Sequence, residues 1–265
     1  MDPVARAVAG SAARAGPRPA RPDGLAAMIV HHPQDDTLLR FCTGDLPPGP
    51  ALVVASHVSQ CPACRHTLRL LENVGGALLA DAEPVACGVD RTSAVAALLA
   101  DPESAARRME ARAASGAGNR LPSAWEPMAG VTTGALPPLP AGMAVPAPLA
   151  AFPVTAWRPV SPGIRWARIS FPGDPDSKVL LLRAQPGAAL PLHTHTGPEY
   201  TYVLHGSLSG EGAVLHPGDL VESEPSLRHQ PEVVSNGECI CMLAVEGRLV
   251  MSTLLARIAQ RIIGL

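Results

Sequence analysis

Residues 187–206 read Gly187-Ala-Ala-Leu-Pro-Leu-His193-Thr-His195-Thr-Gly-Pro-Glu199-Tyr-Thr-Tyr-Val-Leu-His-Gly206, and this stretch decides the fold of the C-terminal half. Alternate side chains of a strand share a face, so His193 and His195 point the same way. The Thr-Gly-Pro turn then brings Glu199 back beside them. Two imidazoles and a carboxylate on one face predict a metal site.

Short strands separated by turn signals extend on both sides of this stretch. They are predicted over residues 178–184, 190–195, 199–205, 232–234 and 238–246. Strands at roughly 8–12-residue intervals are typical of a β-barrel or jelly roll. His229 follows a Pro-Gly-Asp turn and is a candidate fourth ligand for zinc, iron, manganese or nickel. Apolar residues at helical spacing after residue 253 predict an amphipathic helix at the end of the chain.

The N-terminal half has a different pattern, with apolar residues three to four positions apart from Asp35 to about Ala113. This periodicity predicts a small all-α bundle of three or four short helices. Within it lies His57-Val-Ser-Gln-Cys61-Pro-Ala-Cys64, whose spacing lets one imidazole and two thiolates converge. Pro62 fits the first turn of a helix, which places Cys61 at a helix N-terminus.

Zinc is the natural occupant of such an N/S site, and it needs a fourth ligand. We favour His32, just before the first helix. The spacing leaves His31, Cys42 and His66 open as competitors. Two further cysteines, Cys239 and Cys241, share one face of the final strand. That arrangement favours plain core residues, and the alternative is an oxidant-responsive thiol pair near the second metal.

The chain of 265 residues contains 29 prolines and 24 glycines, and these cluster. We expect a disordered tail over 1–27, with an alternative translation start at Met28, and a helical zinc-binding domain over 28–113. A loose Pro/Gly/Ala-rich linker is expected over 114–152, and a β-barrel domain with its C-terminal helix over 153–265.

Charge and hydropathy exclude several classes of protein. The net charge is −2 and the 21 basic residues are scattered, which argues against direct contact with nucleic acid. Apolar runs end before the roughly 18 residues that a membrane span needs. Six cysteines are too few for a disulfide framework, and no signal-peptide core precedes them. We therefore expect a cytoplasmic protein.

The run from Gly187 to Gly206 matches the first cupin motif over its whole length, and Pro217-Gly218-Asp219 keeps part of the second. His229 lies farther downstream than the common spacing. Together with the His-x3-Cys-x2-Cys motif, the chain resembles the ChrR-type anti-sigma factors over about residues 28–250. The resemblance implies two ligand sets, which carry over as His32, His57, Cys61 and Cys64, and as His193, His195, Glu199 and His229.

The resemblance also implies a function. The helical domain would sequester an extracytoplasmic-function sigma factor, and the cupin would sense an oxidant-linked signal such as singlet oxygen or organic hydroperoxide. Such a regulator has no catalytic residues. The alternative is a metal-dependent cupin enzyme of dioxygenase or isomerase type. A metabolic enzyme gives no reason for a separate zinc bundle, whereas a regulator needs a partner-binding module.

Overall fold

The computed structural model describes residues 28–83, 96, 100, 136–171, 177, 179–210 and 212–252. Three helices come first, followed after residue 136 by a fourth that is very short. Their bounds are α1 Asp35–Thr43, α2 Pro48–Gln60, α3 Pro62–Ala80 and α4 Ala147–Ala150. No helix in these ranges is both long enough and apolar enough to cross a lipid bilayer.

The ends of the helices follow from local chemistry. Two aspartates in the first turn of α1 and Arg40 in its last turn complement the helix dipole. The helix ends at Gly44, which adopts the left-handed conformation at φ 78°. Prolines occupy the first turns of α2 and α3, where a missing N–H costs nothing. Cys61 caps α3, as Pro62 predicts.

Eleven strands follow, with bounds β1 Arg158–Ser161, β2 Ile164–Ile169, β3 Val179–Ala184, β4 His193–His195, β5 Glu199–His205, β6 Leu208–Gly210, β7 Ala213–Leu215, β8 Leu220–Ser223, β9 Glu232–Val233, β10 Cys239–Val245 and β11 Leu249–Met251. They form a six-stranded sheet in the order β1-β2-β3-β10-β5-β8, a three-stranded sheet β7-β6-β9 and a pair β11-β4. Every pairing is antiparallel.

The six-stranded sheet is buried on both faces at its central strands β5 and β10. Tyr200 and Tyr202 of β5 point outward into the core shared with the helices. Val203 of β5 and Cys241 of β10 point inward to the core of the barrel. Helix α2 packs on the outer face, in contact with β5 and β10, and it is buried from Gly49 to His57. The continuous apolar run of β10 follows from this double burial.

These observations confirm the expected fold class, a small α-helical unit followed by a cupin-type β-barrel. One expectation is wrong in part. Residues 136–152, which the sequence assigns to a loose linker, pack against α2 and the sheet, with Leu149 fully buried and Phe152 nearly so. This packing could not be predicted from the sequence, because the proline-rich stretch has neither helical nor strand periodicity of its apolar residues. The expected tail, the fourth bundle helix, most of the linker and the C-terminal helix lie outside the described residues.

Candidate metal centres

The first centre is a group of two imidazoles and two thiols, which we call the His/Cys cluster: His32, His57, Cys61 and Cys64. Three of them are buried, and His32 is exposed. Their ligand atoms all lie within 4.8 Å of one another. His32 Nδ1 is 3.4 Å from Cys61 Sγ and 3.5 Å from Cys64 Sγ, and His57 Nε2 is 3.2 Å from Cys64 Sγ. Four N and S donors at this spacing fit a tetrahedral zinc ion.

Three elements supply these side chains. His57 lies in the last turn of α2, Cys61 lies at the break before α3, and Cys64 lies in the first turn of α3. The helix break therefore lets the His-x3-Cys-x2-Cys motif wrap around one point. His32 arrives from the segment before α1. The structure thus brings together the four residues that the sequence favoured.

The competing residues lie elsewhere. His66 is exposed on α3, and Cys42 of α1 is outside the cluster. The His31 ring faces the cupin, with Nδ1 3.3 Å from Asp219 Oδ2. None of the three has its ligand atom in the His/Cys cluster.

Burial shifts the pKa of two members of this cluster. It lowers the pKa of His57 to about 4, although a hydrogen bond to the Gly218 carbonyl opposes the shift. His57 is therefore neutral at pH 7 and has a lone pair available for a metal. Burial and the neighbouring Cys61 raise the pKa of Cys64 to about 12. A bound divalent cation supplies the positive charge that would stabilise the thiolate.

The second centre lies inside the barrel and comprises His193, Glu199 and His229, with His195 beside them; we call these four residues the His/Glu cluster. His193 Nε2 is 3.2 Å from Glu199 Oε2 and 2.8 Å from His229 Nε2. His229 Nε2 is 3.6 Å from Glu199 Oε1. The ligand atoms of these three residues lie within 4.8 Å of one another. The backbones of His229 and His193 exchange two hydrogen bonds, one in each direction. His229 therefore reaches the cluster although it lies farther along the sequence than the common motif spacing.

His195 is the fourth predicted ligand, and a backbone carbonyl holds its ring in place. Its Nδ1 is 2.7 Å from the Gly197 carbonyl oxygen, while its Nε2 is buried and has no hydrogen-bond partner among the residues that the structure describes. A buried polar atom normally has a partner, so this unpaired nitrogen needs an explanation. A metal ion bound at Nε2 would be such an explanation, and it fits the donor set. Imidazoles that bind a metal commonly donate a hydrogen bond from the other ring nitrogen to a carbonyl.

The turn behind His195 has no room for a side chain at Gly197. A Cβ on Gly197 would lie 1.6 Å from the Glu246 carbonyl oxygen. The Glu246 N–H in turn donates to the Pro198 carbonyl. The Thr-Gly-Pro turn therefore packs tightly against the end of β10. This packing holds His195 and Glu199, which flank the turn, in position at the cluster.

An apolar cavity of about 60 Å³ adjoins this centre. Its lining includes Trp166, Leu182 and Leu243, together with His193 and Glu199. No lysine or arginine is among the lining residues. One water molecule needs roughly 10–15 Å³ of such volume, so the cavity has room for about four or five water-sized groups. It can accept a small apolar molecule whose polar end meets the His/Glu cluster.

Cys241 also lines this cavity, and Cys239 lies two residues away on the same strand face. Both are buried. Burial raises the pKa of Cys239 to about 12 and raises that of Cys241 well above its ordinary value. Both side chains are therefore neutral thiols at pH 7, which agrees with their interpretation as core residues.

Comparison with known proteins agrees with this architecture. The family described as ChrR Cupin-like domain matches residues 149–247. The anti-sigma-E factor ChrR of Cereibacter sphaeroides is 28% identical over 240 residues, which cover 88% of this chain and 97% of that protein. This chain is similar to ChrR over most of its length. A crystal structure of Rhodobacter sphaeroides SigE in complex with the anti-sigma ChrR also matches, with 27% identity and a TM-score of 0.59, over 82% of this chain and 100% of that one.

Some residues of this structure escape sequence reasoning. Gly218 and Asp219 contact the His/Cys cluster or the segment that leads into it, although 161 positions separate Gly218 from His57. Glu246 binds Arg40 of α1 through two hydrogen bonds. For Gly218 and Asp219 the sequence signal is the Pro-Gly-Asp motif. It predicts a turn but does not indicate which residues the turn contacts.

Proposed function

We propose that this chain is an anti-sigma factor, which sequesters an extracytoplasmic-function sigma factor and releases it when the cupin senses an oxidant-linked signal. The observation that carries the proposal is an exposed apolar stripe on α3, described below. The solved ChrR, which the chain resembles over most of its length, is itself in complex with a sigma factor. The chain would act as a regulator without catalytic residues.

The stripe, which we call the α3 stripe, consists of Leu70, Val74 and Leu78. These residues are 51%, 59% and 69% exposed and recur every four positions. Residues four apart lie on one face of a helix. Most apolar residues of α3 beyond Leu71 are exposed, so this half of the helix does not serve the core. Amphipathic helices commonly present such faces to a groove on a partner.

Zinc in the His/Cys cluster would hold α1, α2 and α3 in register and so preserve the α3 stripe. The thiolate and imidazole donors suit zinc, which needs no redox chemistry to serve a structural role. The His/Glu cluster would hold zinc, iron, manganese or nickel, since imidazole and carboxylate ligands accept each of them.

The apolar cavity beside the His/Glu cluster supports a sensory role for the cupin. Apart from the His/Glu cluster the lining is almost wholly apolar, and the described lining residues include no lysine or arginine that would bind a diacid. Singlet oxygen and small organic hydroperoxides are compact and weakly polar. Such a molecule would reach His193, Glu199 and Cys241 together. Oxidation at this point is the proposed start of sigma-factor release.

The test is a binding measurement on the full zinc-loaded chain, with purified extracytoplasmic-function sigma factors of the source genome and with SigE as probes. One sigma factor should bind, and Val74→Lys should weaken that binding by at least about tenfold, the scale of a central interface residue. Val234→Lys is the control, because Val234 is 48% exposed on the cupin. Binding by none of the sigma factors, or equal loss in both variants, would refute the proposal.

A further inference from the structure

We infer that the cupin turn at residues 217–219 completes the metal centre of the helical half, with Gly218 and Asp219 as positioning residues for His57 and His32. The inference rests on the proposed occupancy of the His/Cys cluster by zinc. It makes the metal affinity of that cluster depend on a domain far away in sequence.

The first contact is with His57. Its Nδ1 lies 2.9 Å from the carbonyl oxygen of Gly218. A carbonyl only accepts hydrogen bonds, so Nδ1 carries the proton and donates it. The lone pair is then on Nε2, the nitrogen that lies 3.2 Å from Cys64 Sγ. The cupin turn thereby selects the tautomer that a metal ion requires, as an outer-shell partner does.

The second contact is with the backbone that leads into His32. Asp219 is buried, at 1% exposure, and its Oδ1 accepts the N–H of Val30 at 2.8 Å and that of His31 at 3.0 Å. The N–H of Leu220 donates to the His31 carbonyl at 3.1 Å. Three hydrogen bonds therefore tie residues 30 and 31 to the cupin, immediately before the ligand.

Gly218 permits this close approach. Its φ is 97°, and a Cβ at this position would lie 2.7 Å from Ile29 Cγ1. Any larger residue would clash with the Ile29 side chain, three residues before His32, and would also strain the turn.

The same turn is bonded to the strand that carries the cupin ligand Glu199. Gly218 N–H donates to the Val203 carbonyl at 2.9 Å, and Val203 N–H donates to the Asp219 carbonyl at 3.0 Å. Val203 and Glu199 both lie on β5. The two metal centres are thus joined through one strand and one turn.

The experiment measures metal loss from the His/Cys cluster in the full chain after loading with Co²⁺. Thiolate-to-cobalt absorption reports this cluster alone, because the His/Glu cluster contains no cysteine. The rate at which a chelator bleaches the band is the readout. Asp219→Asn should accelerate bleaching by about tenfold or more, in line with outer-shell substitutions at metal sites.

A second pair of variants leaves the cupin untouched. Val30→Pro removes the N–H that donates to Asp219, whereas Val30→Ala retains it. We expect faster bleaching in the first and an unchanged rate in the second. Glu238→Gln is the control for general loss of cupin stability, because Glu238 forms a two-pronged bridge with Arg183 of the cupin, away from residues 217–219.

The possible results distinguish the positioning role of Gly218 and Asp219 from the metal site itself. Unchanged bleaching in Val30→Pro and in folded Asp219→Asn would overturn the positioning role while the proposed metal site stands. Equal acceleration in Glu238→Gln would also overturn it, because general destabilisation would then explain the effect. Absence of the thiolate-to-cobalt band in the unmodified chain would instead refute the proposed metal site itself.

Discussion

At the scale of single residues, the two clusters depend on second contacts that fix three of their imidazoles. His57 is held by Gly218, His193 by the Pro191 carbonyl and His195 by the Gly197 carbonyl. Burial alone would lower the pKa of His193, but its hydrogen bond to the Glu199 carboxylate raises it above the ordinary value. A bound cation would displace that proton, so the metal competes with acid at this position.

Loss of one cysteine ligand should remove one metal ion and no more. We expect Cys64→Ser to lower the zinc content of the full chain from two ions to one, if zinc fills both centres, because a hydroxyl is a poor substitute for a thiolate. Elemental analysis measures this directly. The control is Cys42→Ser, a half-buried cysteine on α1 outside the cluster. Unchanged zinc content in Cys64→Ser would refute the ligand assignment.

Sequence reasoning succeeded at this scale wherever the signal was local. Cys61, Pro62 and Cys64 are close together in the chain, and their spacing alone places them at a helix start. The same holds for His193, His195 and Glu199 around one turn. It failed for Asp219, whose partners Val30 and His31 are 189 and 188 positions away, because no local pattern records such a contact.

At the scale of elements, α2 is the central support of the helical half. It lies between α1, α3, α4 and the outer face of the sheet, and its apolar residues are buried on all sides. Such a helix carries no amphipathic pattern from which its packing could be read. The short α4 covers it with Leu149, a contact hidden within a proline-rich stretch.

Truncation of Leu149 tests whether α4 is part of the folded unit. The side chain is fully buried against the shared core, so Leu149→Ala should lower the free energy of unfolding by about 2–5 kcal/mol. Chemical denaturation measures the change. Leu139→Ala, in the same stretch and only partly buried, should cost less. A negligible effect of Leu149→Ala would show that the stretch is as loose as the sequence suggests.

At the scale of the whole molecule, the helices and the cupin share a polar seam as well as a core. Arg40 of α1 binds Glu246 through two hydrogen bonds of 2.9 and 2.8 Å, and the Tyr200 hydroxyl donates to the same carboxylate at 2.7 Å. Glu222 accepts hydrogen bonds from the Gln34 N–H and the Thr37 hydroxyl. The seam therefore places the α1 side of the bundle beside the strand that begins with Glu199. The domain boundaries at 113 and 152 stay a prediction.

Acid should weaken this seam. Burial alone would raise the pKa of Glu246, but Arg40 and Tyr200 hold it below the ordinary value of 4.5. A lowered carboxyl pKa adds stability above that ordinary value, and the contribution is lost as pH falls through the folded pKa. Glu246→Gln should therefore destabilise the protein at pH 7 and at pH 5, and the difference should shrink below about pH 4.5.

Denaturation of both proteins across this pH range measures the difference. The exposed Glu224→Gln serves as the control and should show no such dependence. A destabilisation by Glu246→Gln that is the same at pH 3 and pH 7 would contradict the ionic role of Glu246 in the seam.

The central claim is that the helical half withholds a sigma factor and the cupin governs its release. The most direct measurement is transcription in vitro by core RNA polymerase and the bound sigma factor, with the zinc-loaded chain added before and after exposure to singlet oxygen or an organic hydroperoxide. We predict inhibition at equal molar amounts, relief by the oxidant, and inhibition that persists under oxidant with His195→Ala. Transcription that the unmodified chain leaves unaffected would contradict the account.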